Sequence, residues 1–254
     1  MRPRVSVIVP VYNYERYIGD CIQSIKNQDF EDWELYVIDD CSTDCSFDAA
    51  EEAAGDDSRI HIKRLGINGG YSHAKNEGIV RSCGDFITCL DADDMFTRTS
   101  LSARLDFFDQ YPELAFVHGR ALDIGHKYTL DRCYAIDPRK AKRTRVRIHA
   151  QGVMLRRWVH IRYGLYDEEL RSRSDKEMWW RLFSNGEEPP RPDVGVMKIK
   201  ADVAYYRKHS GSMLEYRKRH PSYNADMTRK LKIAFRMRQT EITPDNTRML
   251  GPLR

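Results

Sequence analysis

The chain has 254 residues, enough for one large domain or for a domain with an extension. With 41% hydrophobic and 31% charged residues its composition excludes disorder and a membrane-embedded body. A net charge of +4 does not suggest a nucleic-acid binder unless it is concentrated somewhere, and no apolar run approaches the roughly 20 residues of a membrane span.

The start, Met1-Arg2-Pro3-Arg4, leads straight into a short apolar run, so no secretory leader is expected. Six cysteines form no CxxC pair, and a chain of this size builds a core without staples. Reduced thiols and a cytoplasmic location are the expectation.

Residues 5–10 are nearly all apolar, the pattern of a strand covered on both faces. Pro10-Val11-Tyr12-Asn13 ends that run. A helix is predicted next, with Tyr14, Tyr17, Ile18, Cys21, Ile22 and Ile25 at helical spacing. A second strand, 33–38, ends on Asp39-Asp40-Cys41-Ser42-Thr43-Asp44. Ser42 or Thr43 can cap the following helix, which carries Phe47, Ala50 and Ala54. Residues 60–65 alternate as a third strand, Asn68-Gly69-Gly70 is a turn, and 74–81 is a short helix. The fourth strand, 84–90, stops on Asp91-Ala92-Asp93-Asp94.

Strand–helix alternation of this kind predicts an α/β fold with a parallel sheet. Ligands of open parallel sheets bind outside the carboxyl ends of the strands. The Tyr12-Asn13 turn, the Asp39-Asp40 pair and the Asp91–Asp93 pair all fall on that edge. On an extended backbone Asp91 and Asp93 point the same way and Ala92 points away. Two like charges in a partly dry cleft are costly unless a cation or donor groups compensate them. A hard divalent cation, Mg2+ or Mn2+, is the simplest compensation, and it would hold a phosphate-bearing substrate. The alternative is an acidic turn after a strand.

The glycine fingerprint of dinucleotide binders and the lysine-bearing phosphate loop are both missing. Tyr12 could stack on a base while the acids at the second strand end accept from its N–H groups. Simple packing of Tyr12 at a turn is the alternative.

Beyond Asp94, Leu101, Leu105 and Phe108 mark a helix that stops near Pro112, and 114–118 is a strand. Residues 120–137 read as a hairpin or paired short strands. The basic run 138–147 is a solvated loop, or a flap over a negatively charged substrate. Ser174-Asp175-Lys176-Glu177 has the spacing of a capping box and opens a helix bearing Met178, Trp179, Leu182 and Phe183. A loop over 185–192 and a last strand over 203–206 follow. From Tyr223 a basic helix carries Met227, Leu231, Ala234, Phe235 and Arg238 on one side. It either packs on the body of the protein or lies on an anionic membrane surface.

Pro10-Val11-Tyr12-Asn13, Asp39-Asp40-Cys41-Ser42-Thr43-Asp44, Asn68-Gly69-Gly70 with Ala74-Lys75-Asn76-Glu77-Gly78, and Asp91-Ala92-Asp93-Asp94 resemble the family 2 glycosyltransferases of GT-A fold in order and spacing. So do Gly164-Leu165-Tyr166-Asp167-Glu168, Ser174-Asp175-Lys176-Glu177-Met178-Trp179-Trp180-Arg181 and Tyr206-Arg207-Lys208-His209. The resemblance implies a Rossmann-like, mostly parallel sheet flanked by helices. It also implies inverting, metal-dependent transfer of a sugar from a nucleoside-diphosphate donor, with a UDP-sugar favoured.

By position, the resemblance puts Pro10, Tyr12, Asn13, Asp39, Asp40, Gly70, Lys75, Asp91, Ala92 and Asp93 around the nucleotide-sugar. It makes Asp93 and His209 the holders of Mn2+ or Mg2+, and Asp175 the catalytic base. An acid in the first turn of a helix is favourable whether or not it does chemistry. His149, Gln151 and Trp179 are expected on the acceptor side; a satisfied core pair is the other reading of His149 and Gln151, and one of Trp179 and Trp180 is expected in the core. Lysine at 75 departs from the family's common arginine, and Ser174 stands where glutamate is common. The Gln-x-x-Arg-Trp signature of processive synthases is broken, with Met154 ahead of Arg157-Trp158, so single addition is expected.

Three parts follow: a nucleotide-sugar-binding half over 1–118, an acceptor and catalytic-base region over 119–212, and a basic helical extension over 213–254. The expected partners are the donor and a saccharide or lipid-linked acceptor, with no nucleic acid. A peripheral contact with the inner face of a membrane through the last helix, and a homodimer, stay open. The competing function is a non-catalytic module of the same fold that binds a nucleotide-sugar or a membrane surface. A nucleotidyltransferase would need a glycine-rich, basic first loop, and the chain has none.

Overall fold

The structure, a computed structural model, describes residues 2–125, 128–135, 148–182 and 194–240; in the last helix side chains are described as far as Lys230. The near-continuous apolar runs form the centre of the sheet. The first half alternates β1 (Val5–Val11), α1 (Ile18–Lys26), β2 (Trp33–Asp39), α2 (Ser46–Ala54), β3 (Ile60–Arg64), α3 (Tyr71–Arg81) and β4 (Phe86–Cys89). Strands β1 to β4 pair in parallel, with β1 between β2 and β4 and β3 outside β2.

The second half contributes β5 (Met95–Phe96), α4 (Ser100–Gln110), β6 (Leu114–Gly125), α5 (Leu130–Tyr134), β7 (Val153–Arg156), α6 (Arg157–Tyr163), α7 (Ser174–Leu182), β8 (Gly195–Lys208), α8 (Met213–Arg219) and α9 (Pro221–Thr240). Among the described residues the sheet runs β3-β2-β1-β4-β7-β6-β8-β5. It turns antiparallel at β7, which pairs with both β4 and β6, and again where β5 pairs with β8. The sheet is therefore mixed, with a parallel block that carries the expected ligand edge.

Alternation along β1 sorts the two cores. Val5, Val7, Val9 and Val11 pack with α1, α2 and α4 on one face. Ile8 packs with Ile79, Ile87, Phe116, Val159 and Met178 on the other. Pro10 sits inside a central strand, where a proline normally removes a ladder hydrogen bond. Here the even positions of β1 face β4, since the Leu90 N–H donates to the Ile8 carbonyl at 3.0 Å. Register with β4 ends at Ile8 opposite Cys89, so the missing N–H of Pro10 falls where β4 has already stopped.

Several expectations need correction. The described residues of 120–137 do not form the expected hairpin: β6 continues to Gly125, and Leu130–Tyr134 is a helix. The last strand is far longer than 203–206, running Gly195–Lys208. Neither Ser42 nor Thr43 caps α2, which begins at Ser46. Ser42 Oγ instead accepts the Asn13 N–H at 3.0 Å. The capping box at Ser174 is also absent. Glu177 N–H donates to the Arg173 carbonyl at 3.1 Å, and Ser174 Oγ is buried with no partner among the described residues. The Glu177 carboxylate pairs with Arg181 at 2.7 Å instead. The basic run 138–147 and the loop 185–192 lie outside the described residues.

Helix α9 packs on α7; its Met227 is buried, and Arg173, just ahead of α7, donates from Nη1 to Thr228 Oγ1 at 3.0 Å. Among the described residues no helix is long and apolar enough to cross a membrane.

Close packing of α3 on the sheet depends on Gly78. A Cβ there would meet Ile8 Cγ2 at 2.5 Å and Ile38 Cγ1 at 3.3 Å. Those atoms belong to stiff, buried β-branched side chains. Gly78→Val is expected to lower the unfolding free energy by about 2–3 kcal/mol in urea denaturation; an unchanged midpoint would contradict this packing.

Candidate active site

The parallel block brings three loops to one edge. After β1, Asn13 adopts φ 57°, a left-handed conformation that asparagine tolerates better than most residues. Its Oδ1 accepts the Thr43 N–H at 2.8 Å, which latches the first turn to the second. Tyr12 beside it is 43% exposed.

At the end of β2, Asp39 is fully buried. It accepts the Ser42 N–H at 3.1 Å and pairs with Arg64 Nε at 3.3 Å. Asp40 accepts from two successive backbone amides, Gly69 at 2.8 Å and Gly70 at 2.7 Å. Gly70 needs its φ of +91° to present that N–H ahead of α3. The glycine pair thus shapes the site as a backbone cradle for Asp40.

After β4 stand Asp91, Asp93 and Asp94, with one carboxylate oxygen of each within 4.8 Å of the others. Ala92 is buried between them. Asp91 is held on both oxygens: Oδ1 accepts the Tyr71 hydroxyl at 2.5 Å, and Oδ2 accepts from Gln151 Nε2. Asp93 Oδ2 lies 2.8 Å from His209 Nε2. Asp94 Oδ1 accepts the Arg207 N–H at 2.7 Å, and its Oδ2 is buried with no partner among the described residues. Rings flank His209, with Tyr17 at 4.9 Å and Tyr14 edge-on at 5.8 Å.

The electrostatics follow from burial and crowding. Burial first, then the Asp93 charge, push Asp91 up to about 6. The same two causes push Asp94 well above the carboxylate range. Lys75 opposes this at Asp91. Its ammonium is buried, 3.6 Å from the Tyr166 ring centroid and 4.9 Å from that of Tyr71. Lys75 therefore acts as a fixed positive charge behind the acids, inside an aromatic box.

Asp175, half-buried in the first turn of α7, lies close enough for its charge to raise Asp91 and Tyr71 and to oppose the lowering of His149. Asp175 thus stands within electrostatic range of Asp91. Gln151 is buried against Asp91, and His149 packs edge-on against Tyr206 at 4.6 Å. Burial lowers His149, which favours the neutral ring. Trp179 is only 6% exposed and stands edge-on to Phe116 at 5.1 Å, within the core; its neighbour Trp180 is the half-exposed one.

Sequence reasoning missed Tyr71 and Arg207, and gave Asp94 no role of its own within the acidic stretch. Tyr71 opens a helix at the ligand edge, and that placement was the one available signal. Arg207 acts through its backbone amide, which leaves no mark in the sequence.

A mixed sheet gathers three acids at the carboxyl edge of its parallel block, the edge where ligands of such sheets bind, as a carboxylate group able to hold a hard cation. The chain belongs to glycosyl transferase family 2, whose model matches residues 6–165. A putative teichuronic acid biosynthesis glycosyltransferase of Bacillus subtilis is 38% identical over 106 residues, 42% of each chain. The chain thus spans less than half the length of that relative. A putative colanic acid biosynthesis glycosyl transferase of Escherichia coli is 24% identical over 98% of this chain and 96% of its own. The crystal structure of S. aureus TarS 1-349 with UDP-GlcNAc aligns with TM-score 0.67 at 20% identity, over 92% of this chain and 66% of that one. The mannosyltransferase of Pyrobaculum calidifontis, solved with GDP-Man and Mn2+, aligns with TM-score 0.65 at 18% identity, over 91% and 64%. These likenesses establish the GT-A fold.

Cation binding fits the residues present: three crowded carboxylates, two of them pushed toward the neutral form, and a buried orphan oxygen on Asp94. The pH dependence has a definite sign. A buried acid with a raised pKa binds protons in the folded state that the unfolded chain releases. Metal-free stability therefore falls as pH rises from the unfolded aspartate value of about 4 through the folded value of about 6 for Asp91. Asp94→Asn keeps the acceptor for Arg207 N–H and removes one buried charge. Without divalent metal it is expected to melt higher than the wild type at pH 7, with the advantage shrinking toward pH 4. A variant that melts lower across that range contradicts the assignment of strain to these carboxylates.

Proposed function

We propose that the chain moves one sugar from a nucleoside-diphosphate sugar to an acceptor hydroxyl with inversion, in the assembly of a surface polysaccharide. The observation that supports this reading is the electrostatic coupling of Asp175 to Asp91, in the acid cluster at the carboxyl edge of the parallel block. The half 1–118 would then bind the donor and 119–212 would supply the acceptor side and the base.

In this reading Tyr12 offers its exposed ring to the base, and Asp39, Asp40 and Asn13 shape the turn beneath the nucleoside. Lys75 acts as a charge behind Tyr71 and Tyr166 rather than by direct contact. Asp93 and His209 would hold Mn2+ or Mg2+, with Asp94 Oδ2 beside them; such an ion supplies Lewis-acid compensation for the charge on the leaving diphosphate. Asp91, fixed by Tyr71 and Gln151, faces the sugar. Asp175 takes the proton from the acceptor hydroxyl as its oxygen attacks the anomeric carbon. The nucleoside diphosphate departs from the opposite face, which inverts the configuration. General-base help of this kind contributes about 10²–10⁴-fold.

The donor reading is supported by neighbours of the same fold that hold UDP-GlcNAc and GDP-Man, and a UDP-sugar is the favoured donor. A relative named as a Campylobacter jejuni glucosyltransferase acting on an undecaprenol-linked glycan supports a lipid-linked acceptor. Arg157-Trp158 lies at the far end of β4, away from the acid cluster, which supports single addition over processive synthesis.

Asp175→Asn is expected to cut transfer by about 10²–10⁴-fold while donor affinity measured by calorimetry stays within a few-fold. Near wild-type turnover in that variant refutes the base assignment. In thermal-shift measurements UDP should stabilise the wild type more with Mn2+ than without, and Asp93→Ala should abolish the difference. Equal shifts in both proteins count against Asp93 as the metal holder.

A further inference from the structure

At the opposite, amino-terminal end of the same strands lies a second concave site. The segment ahead of β1, the start of β4, the end of α4 and the β7–α6 junction line an open cleft of about 460 Å³. Four arginines line it, Arg2, Arg4, Arg156 and Arg157, against two carboxylates, Asp85 and Asp109. Phe86 opens β4 and Asp91 follows its end, so at about 3.3 Å per residue the cavity lies on the order of 15 Å from the acid cluster.

A guanidinium has five N–H donors in a planar fork. Arg157 commits its fork to the fold, donating to the Gly84 carbonyl at 2.5 Å, the Ile79 carbonyl at 3.3 Å, Ser6 Oγ at 3.2 Å and Ser82 Oγ at 2.9 Å. The other three keep donors unused among the described residues. Arg156 gives Nε to the Leu114 carbonyl at 2.7 Å and Nη2 to the Phe108 carbonyl at 3.3 Å, which leaves Nη1. Arg4 gives only Nη2, to Asp109, and leaves Nε and Nη1. Arg2 gives Nε to the Cys83 carbonyl and Nη2 to Asp85 at 3.2 Å, and leaves Nη1.

The two carboxylates are more than half exposed, at 63% for Asp85 and 55% for Asp109, and each takes one nitrogen. Exposed pairs of this kind contribute little to stability. The guanidiniums are also oriented: Arg156 stacks over Phe86 at 5.0 Å, and Trp158 closes the wall. A surplus of positive charge, three sets of free planar donors and an apolar wall match a tetrahedral, multiply charged oxyanion. We infer that this cavity binds a phosphate group, as free phosphate or diphosphate or as the headgroup of a lipid.

The test is calorimetric titration of the whole chain with inorganic pyrophosphate, in chelator so that the acid cluster takes no part. One site of millimolar affinity or better is expected. Arg4→Gln should weaken it about tenfold, the loss of one charge-assisted contact. Asp109→Asn, which removes the carboxylate charge competing for Arg4, should tighten it, a gain that misfolding cannot produce. Asp93→Asn at the other edge should leave it unchanged. Absence of binding at millimolar pyrophosphate, or an affinity that ignores both Arg4→Gln and Asp109→Asn, overturns the inference. Vesicle flotation separates the sources. Arg4-dependent binding to phosphatidylglycerol but not phosphatidylcholine points to a lipid headgroup, and Arg4-dependent titration alone points to a soluble anion. If neither depends on Arg4, the site is not there.

Discussion

Mutual repulsion among Asp91, Asp93 and Asp94 is the constraint around which the rest of the structure is arranged. Three carboxylates gathered at the end of one strand, with little water to screen them, cannot stay together without help. The fold supplies help from four directions. The start of α3 brings Tyr71, the turn ahead of β7 brings Gln151, and the end of β8 brings the Arg207 amide and His209. From behind, Lys75 adds a positive charge held between two rings. Each contact is local, yet their sources are spread over most of the chain. Among the described residues, Asp94 Oδ2 finds no partner.

The two halves of the sheet divide this work. Parallel strands β1, β2 and β4 deliver their carboxyl ends to one edge, so the turns after them meet whatever their individual sequences. The antiparallel strands bring in residues from far along the chain. The register of β8 against β5 and β6 sets how far the strand runs, and its end sets where His209 lies. Helix α7 carries Asp175 within electrostatic range of Asp91, and Arg181, paired with Glu177 on the same helix, ties α7 to the body by donating to the Tyr163 and Leu165 carbonyls.

The parallel half was legible in the sequence because buried strands read as unbroken apolar runs bounded by turn residues. Val5 to Val9 and the strand before Asp91 could hardly be anything else. The second half was harder to read for the same reason in reverse. Strand β8 mixes Lys198, Lys200 and Asp202 into its length, since part of it faces solvent, and only its most apolar stretch stood out. Helix caps were misread because Ser42 serves Asn13 across the loop, while Asp44 takes the Ser46 N–H at 2.9 Å at the start of α2. At the site, the acids announced themselves by type and spacing. What holds them did not, because a tyrosine hydroxyl or a backbone amide gains its role only from the position the fold gives it. Trp179 and Trp180 show the limit of periodicity: adjacent residues on one helix could be assigned to opposite faces, but which face was core needed Phe116.

The most direct test of the central claim is anomalous diffraction from a crystal soaked in Mn2+ with a nucleoside diphosphate. The account predicts one strong manganese peak beside Asp93 and His209, within reach of Asp94 Oδ2. A peak elsewhere, or a well-ordered nucleotide on this edge with no metal near those carboxylates, would contradict it.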